Sequence, residues 1–239
     1  MDPEALQTTE FEVDGVQYRF VCSTPTDAIQ ATLLDGRLFD QNELMTVAKY
    51  ISDGDRIADI GANIGNHAVF FSKRFPASEI VCFEPNEEAM FLLQRNLEEN
   101  NCTNVVQDFI GYGLSDEPGD AISWRGGDNN LGGSRVVDLS HADMVKAHPD
   151  KFHYTKLTTG DEVFLEGGVD FLKIDVEGHE IPCLNGLRQT ITRHRPVIFV
   201  EISNENMDEV MGMFDAFGYR EEWVDTHYAK VTNKIMLPN

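Results

Sequence analysis

From Arg56 to Phe71 the chain reads RIADIGANIGNHAVFF: an apolar run, a turn holding Gly61, Asn63 and Gly65, and a second apolar run. Few local structures satisfy that pattern besides a short buried strand, a tight turn and the first turns of a helix. The unit recurs. EIVCF is a second strand, followed by a helix that opens at Asn86, a good N-cap, with Glu87 and Glu88 in its first turn. Its apolar positions Ala89, Leu93 and Leu97 form one stripe for packing on a sheet. VVQDFI reads as a third strand, VDFLKIDV as a central strand covered on both faces, and PVIFVEI repeats that pattern after a helix around 184–191. A helix over 205–217 precedes YREEWVD and AKVTNKIMLP, which close the sheet as an antiparallel hairpin. Repeated βα units predict an α/β fold with a Rossmann-like, doubly wound, mostly parallel sheet and a C-terminal antiparallel hairpin.

Ahead of these repeats, residues 9–22 alternate around Asp14-Gly15 as a β-hairpin, and 41–51 have helical spacing through Leu44, Val47 and Ile51. This assigns 1–52 to an N-terminal hairpin and helix covering the cofactor and acceptor side, and 53–239 to the main domain. An insertion at about 116–159 interrupts the pattern. It carries GGDNNLGGS (Gly126–Ser134), read as a mobile polar loop over an acceptor, and His141, His148 and His153, read as a solvated helix face because their spacing matches no zinc pattern.

Charge narrows the partners. With 41 Asp plus Glu against 19 Lys plus Arg, the formal charge is −22, and no Lys/Arg cluster is visible. Nucleic-acid binding needs a basic track that displaces counterions, so nucleic acid is an unfavoured substrate. No stretch approaches the roughly 20 apolar residues of a membrane span, and the acidic N-terminus does not match a signal peptide. Four dispersed cysteines without a CxxC pair fit reduced thiols in a cytoplasmic protein.

Ligands of doubly wound sheets bind at the carboxyl ends of the strands. The turn there reads D-x-G-x-N-x-G rather than the G-x-G-x-x-G of a dinucleotide site, and Asn66-His67 replaces the Lys-Ser/Thr of a P-loop. Asn63 tolerates a left-handed backbone. Asp59 would repel a pyrophosphate but attract an ammonium or sulfonium-bearing group, and Glu84, ending the next strand, can accept both hydroxyls of a ribose. One carboxylate for an amino-acid moiety and one for a ribose describe S-adenosylmethionine. The cofactor-binding set is therefore Asp59, Gly61, Ala62, Asn63, Gly65 and Asn66 from the turn, Glu84, Pro85 and Asn86 from the next strand end, Gly113 and Leu114, and Asp175.

DIGANIGNHA, FEPN, NNLGGSRV, FLKIDVEGHE, RPVIFVE and FGY, in that order from about Phe39 to the C-terminus, resemble the FkbM family of class I methyltransferases. The resemblance implies S-adenosylmethionine as cofactor and O-methylation of a hydroxyl on a sugar, glycolipid or secondary metabolite. Two positions depart from the family pattern: Gly113 stands where alanine is expected in GLSD, and Gly160 where leucine is expected in TTGDEVF.

Methyl transfer to an alcohol needs positioning and a base for the hydroxyl proton. LKIDVEGHE offers Lys173, Asp175, Glu177 and His179 at the end of a central strand. Asp175 and Glu177 are the leading catalytic carboxylates and His179 is the alternative base. Lys173 is either catalytic or the partner of a neighbouring carboxylate. No established metal spacing is present, so no metal ligand is assigned, although Asp175, Glu177, His179 and Glu201 could converge on a divalent ion. The expected partner is a small-molecule or glycan acceptor with a free hydroxyl. The rival functions are a non-catalytic S-adenosylmethionine-binding protein and, against the charge, a nucleic-acid methyltransferase.

Overall fold

The computed structural model describes residues 6–125 and 130–239. The chain opens with the expected hairpin, β1 (Gln7–Val13) and β2 (Val16–Cys22), turned by Asp14 and Gly15, both at positive φ (50° and 79°). That is the turn geometry that matches strand twist. Two short helices follow, α1 (Ala28–Leu34) and α2 (Gln41–Val47).

The βα repeats then run β3 (Arg56–Ile60), α3 (Asn66–Arg74), β4 (Glu79–Phe83), α4 (Glu87–Glu99) and β5 (Val105–Val106). After β6 (Tyr112–Leu114) the insertion supplies β7 (Gly119–Trp124), β8 (Arg135–Val137), α5 (Ala142–Ala147) and β9 (Phe152–Thr158), and α6 (Gly160–Phe164) follows it. The chain ends with β10 (Phe171–Ile174), α7 (Glu180–Gly186), α8 (Arg188–His194), β11 (Val197–Ser203), α9 (Met207–Phe217), β12 (Tyr219–Asp225) and β13 (Val231–Pro238).

Seven strands form the main sheet in the order β12-β13-β11-β10-β3-β4-β5. The five strands from β11 to β5 are parallel; β13 and β12 close the edge antiparallel. Alternate strand residues feed two cores. Ile57, Phe171, Phe199 and Ile235 pack with α3, α4 and the hairpin residues Tyr18 and Phe20, whereas Ala58, Leu172, Ile198 and Val200 pack with Phe164, Leu184 and Phe214. All four residues of β10 are buried, as its apolar run predicts.

Two readings change. VVQDFI yields only a two-residue strand because the chain turns at Gln107, whose carbonyl accepts from the Ile110 amide. In the insertion, where the sequence pattern weakens, β7 and β9 pair antiparallel inside a four-stranded sheet ordered β6-β9-β7-β8. Its histidines do not share a helix face, since His141 and His148 flank α5 and His153 lies in β9. Gly126–Asn129 of the polar loop lie outside the described residues. Gly160 has a steric reason, because a Cβ there would come within 2.1 Å of Leu187 Cδ2. Leu187 occupies the space that the family's leucine would need.

Asparagines tie the N-terminal segment to the sheet domain. Asn96, fully buried on α4, accepts from the Val21 amide at 2.7 Å and donates to the Ile64 carbonyl at 2.7 Å. Asn66 makes a reciprocal pair with the Phe39 backbone, 3.1 Å each way. The hairpin itself rests on helices α3 and α4, and the chain after it, from Ala28 to Glu43, reaches the larger cavity described below. Replacing Asn96 with leucine keeps the volume but strands a buried donor and a buried acceptor. Urea unfolding should show a loss of about 2–4 kcal/mol; a loss under about 1 kcal/mol would mean that the clamp is dispensable.

Candidate active site

The strand ends open onto two adjoining cavities. The smaller lies between Phe83, Glu84, Pro85, Gly113, Leu114 and Val136. The larger, about 480 Å³, lies between α1, Phe39–Glu43, the C-terminal half of β11 and the β12–β13 connection. Gly61, Asn63, Gly132, Asp175 and Glu177 line both and form their junction.

Local chemistry builds the turn after β3. The Gly61 and Ala62 amides both donate to the Phe83 carbonyl at 2.9 Å, so the turn hangs on the end of β4. Gly61 sits at φ 78°, and a Cβ on it would lie 1.8 Å from the Asp175 carbonyl oxygen. Only glycine allows β3 and β10 to end that close together. Asn63 adopts φ 50° and accepts from the Ile64 amide at 2.7 Å. Gly65, at φ 93°, lines neither cavity; it starts α3 and brings it against Leu93.

Glu84, directly after β4, has one oxygen accepting from the Asn63 amide and the other from the Asn86 amide, 2.8 Å each. Burial pushes its pKa up to about 7 despite those two bonds. Asn86 caps α4, accepting from the Glu88 and Ala89 amides, and lines no cavity. Gly113 lies in the smaller cavity with Leu157 Cδ2 3.0 Å and Val136 Cγ2 3.2 Å from where a Cβ would stand. Alanine there would push those walls.

Asp59 is placed differently from the sequence reading. It is the penultimate residue of β3, fully buried, and lines neither cavity. Its partner is Lys173 Nζ at 3.1 Å, which also lies 3.4 Å from Asp175 and donates to the Gly61 carbonyl at 2.5 Å. Strand register explains the pairing, because Lys173 stands beside Asp59 across the parallel β3–β10 pair. Burial alone would lower the Lys173 pKa; Asp59 and Asp175 outweigh it, raise the pKa and hold the ammonium charged.

Lys173 therefore has the ion-pair role, while its neighbours Asp175 and Glu177 face the junction. Glu177 adopts φ 50°. Burial, then the nearby Asp175 charge, push its pKa up to about 7. His179 turns away: its Nε2 lies 3.0 Å from Ser115 Oγ, it lines the smaller cavity only, and burial lowers its pKa. Ala62 and Asn66 line only the larger cavity.

Sequence reasoning missed Asp40, Glu43, Tyr228 and Asn233. Tyr228 donates to both Asp40 carboxylate oxygens, 2.7 and 2.8 Å, and Asn233 Nδ2 donates to Glu43 at 2.6 Å. Burial pushes the Glu43 pKa up to about 8, only partly offset by Asn233. No local pattern marks these residues, because each pair is 188 or 190 positions apart.

Turn, buried strand-end carboxylate and strand order together define a class I methyltransferase. The FkbM methyltransferase domain matches residues 59–221, and the chain belongs to that family. The chain is 27% identical over 183 residues to the hexuronic acid methyltransferase AglP of Haloferax volcanii, covering 75% of this chain and 68% of AglP. It is 26% identical to the methyltransferase sdnD of Sordaria araneosa, covering 74% of this chain and 80% of sdnD. Among solved structures, the FkbM methyltransferase of Methylobacillus flagellatus KT has a TM-score of 0.55 at 16% identity, covering 77% of this chain. The match spans 44% of that longer protein. The precorrin-6y C5,15-methyltransferase of Geobacter metallireducens GS-15 has a TM-score of 0.51 at 14% identity, covering 85% of this chain and 91% of that one. At these identities the structural likeness bears on the fold alone.

Two measurements test the electrostatics. Lys173→Met strands the Asp59 charge and should cost about 3–5 kcal/mol, whereas Asp59→Asn combined with Lys173→Met should recover most of it; additive losses would refute the pairing. The raised Glu43 and Glu84 pKa values also set a pH window. Their folded values exceed the unfolded value near 4.5, so their stabilising contribution is complete below that pH and is lost as pH rises through about 7 and 8. The melting temperature at constant ionic strength should therefore fall from pH 6 to pH 8.5, and Glu43→Gln should flatten the upper part of that slope.

Proposed function

We propose that this methyltransferase uses S-adenosylmethionine to methylate a hydroxyl of a sugar, glycolipid or secondary metabolite. The observation that carries this reading is the pair of cavities joined at Gly61, Asn63, Asp175 and Glu177. The smaller suits the nucleoside. Its apolar walls include Phe83, Leu114 and Val136, and each Glu84 oxygen, holding one backbone amide, keeps a lone pair for a ribose hydroxyl. The residues present fit the cofactor, which when bound supplies an electrophilic methyl group on a sulfonium.

Everything else falls to the chain. Asp175 and Glu177 stand where the two cavities meet, and the raised pKa of Glu177 suits it to take a hydroxyl proton near neutral pH. The larger cavity, bordered by Asp40, Glu43, Asn130 and Tyr228, offers the hydrogen-bonding side chains that a polyhydroxylated acceptor needs. A relative that acts on a hexuronic acid supports a sugar-like acceptor.

Calorimetric titration with S-adenosylhomocysteine should give micromolar binding, weakened about tenfold or more in Glu84→Gln, with no heat from NAD. Absent binding, or equal binding by the variant, would overturn the cofactor assignment. With an acceptor in hand, Glu177→Gln should lower kcat by about 10²–10⁴ if Glu177 is the base, and an unchanged kcat would pass that role to Asp175.

A further inference from the structure

Asp175 and Glu201 are brought together by sheet register. Ile174, the last residue of β10, stands beside Val200 of β11, so Asp175, just past β10, comes beside Glu201. Glu177 folds back over them, and one oxygen from each of the three carboxylates lies within 4.8 Å of the others. Among the described residues neither Glu177 nor Glu201 has a side-chain hydrogen bond or ion pair; Lys173 spends its contacts on Asp59, Asp175 and the Gly61 carbonyl.

A second observation comes from the opposite strand. Asn233 of β13 pairs directly with Glu201 in the antiparallel register and lines the same cavity. The residue is 4% exposed, its Nδ2 is turned to Glu43, and its buried Oδ1 has no hydrogen-bond partner. A buried carbonyl oxygen without a donor is costly unless something electropositive occupies the space beside it.

We propose that Asp175, Glu177 and Glu201, completed by Asn233 Oδ1, hold one hard divalent cation, Mg²⁺ or Mn²⁺, in the larger cavity. The donor set is entirely oxygen, which selects hard cations over zinc or copper. Such an ion answers the surplus of unpaired carboxylates. Its role rests on the methyl-transfer reading: at the junction side of the acceptor cavity it would bind and acidify a substrate hydroxyl, and Glu177 would then serve as its ligand rather than as the base. Its existence does not rest on that reading. The group differs from the four residues that the sequence suggests, because His179 is engaged with Ser115 and an amide replaces it.

The test uses the full chain after chelator treatment, titrated with Mn²⁺ alone while free Mn²⁺ is followed by electron paramagnetic resonance. One saturable site per chain is expected, weakened about tenfold or more in Glu201→Gln and in Asn233→Leu. Glu98→Gln, an exposed acid elsewhere, should change nothing. Calorimetry with S-adenosylhomocysteine checks that each variant is folded, since Glu201 and Asn233 line only the larger cavity. No saturable Mn²⁺ binding, or binding unchanged in both Glu201→Gln and Asn233→Leu, overturns the inference. Mn²⁺ binding without S-adenosylhomocysteine binding would leave the cation site standing and remove the cofactor assignment instead.

Discussion

A single buried ammonium holds the centre of this molecule. Lys173, 2% exposed, lies between the carboxylates of Asp59 and Asp175 and donates to the carbonyl of Gly61. It thereby ties the C-terminal end of β3, the end of β10 and the turn between β3 and α3 into one unit. A buried charge without a partner costs far more than a buried pair gains, so the three groups must be present together. Everything that faces the ligand cavities, Asn63, Asp175 and Glu177 above all, is built on that base.

Close backbone approach completes the arrangement. The Gly61 α-carbon is pressed against the Asp175 carbonyl, and the turn amides hang on Phe83. Three adjacent strand ends are therefore fixed relative to one another by backbone contacts in addition to the Lys173 side chain. Asparagine side chains extend this rigidity outward. Asn96 holds the Ile64 carbonyl on one side and the β2 hairpin on the other, so the N-terminal segment is anchored to the same turn. Amides suit this work because they donate and accept at once and carry no charge into the core.

The larger cavity has a character of its own. Asp40, Glu43, Asp175, Glu177 and Glu201 surround it, against Lys173 and Lys230. Burial raises the pKa of Glu43 and Glu177, and that of Glu201 in the same direction, because each is desolvated and faces other acids. A cavity so rich in carboxyl groups offers an anionic acceptor little unless a cation intervenes. The family relative AglP acts on a hexuronic acid, and the two chains, 27% identical, are free to differ at this cavity.

Periodicity and turn chemistry were enough to make the βα repeats, the Asp14-Gly15 hairpin, the left-handed Asn63 and the cap at Asn86 legible, because each depends on residues a few positions apart. The carboxylate at the end of β4 and the acids after β10 were legible for the same reason: strand ends are where doubly wound sheets bind ligands. Other features depended on which strands become neighbours. Asp59 reads as a ligand group until β10 places Lys173 beside it. The antiparallel β7–β9 pair of the insertion joins residues 28 to 38 positions apart, and the pairs Tyr228–Asp40 and Asn233–Glu43 and the turning of His179 to Ser115 join residues 64 to 190 positions apart. Local sequence carries no record of such contacts. Chain order and local chemistry thus determined the class of fold and the turn after β3, whereas strand register and long-range packing decided which acids are paired, which are left open, and what shape the larger cavity takes.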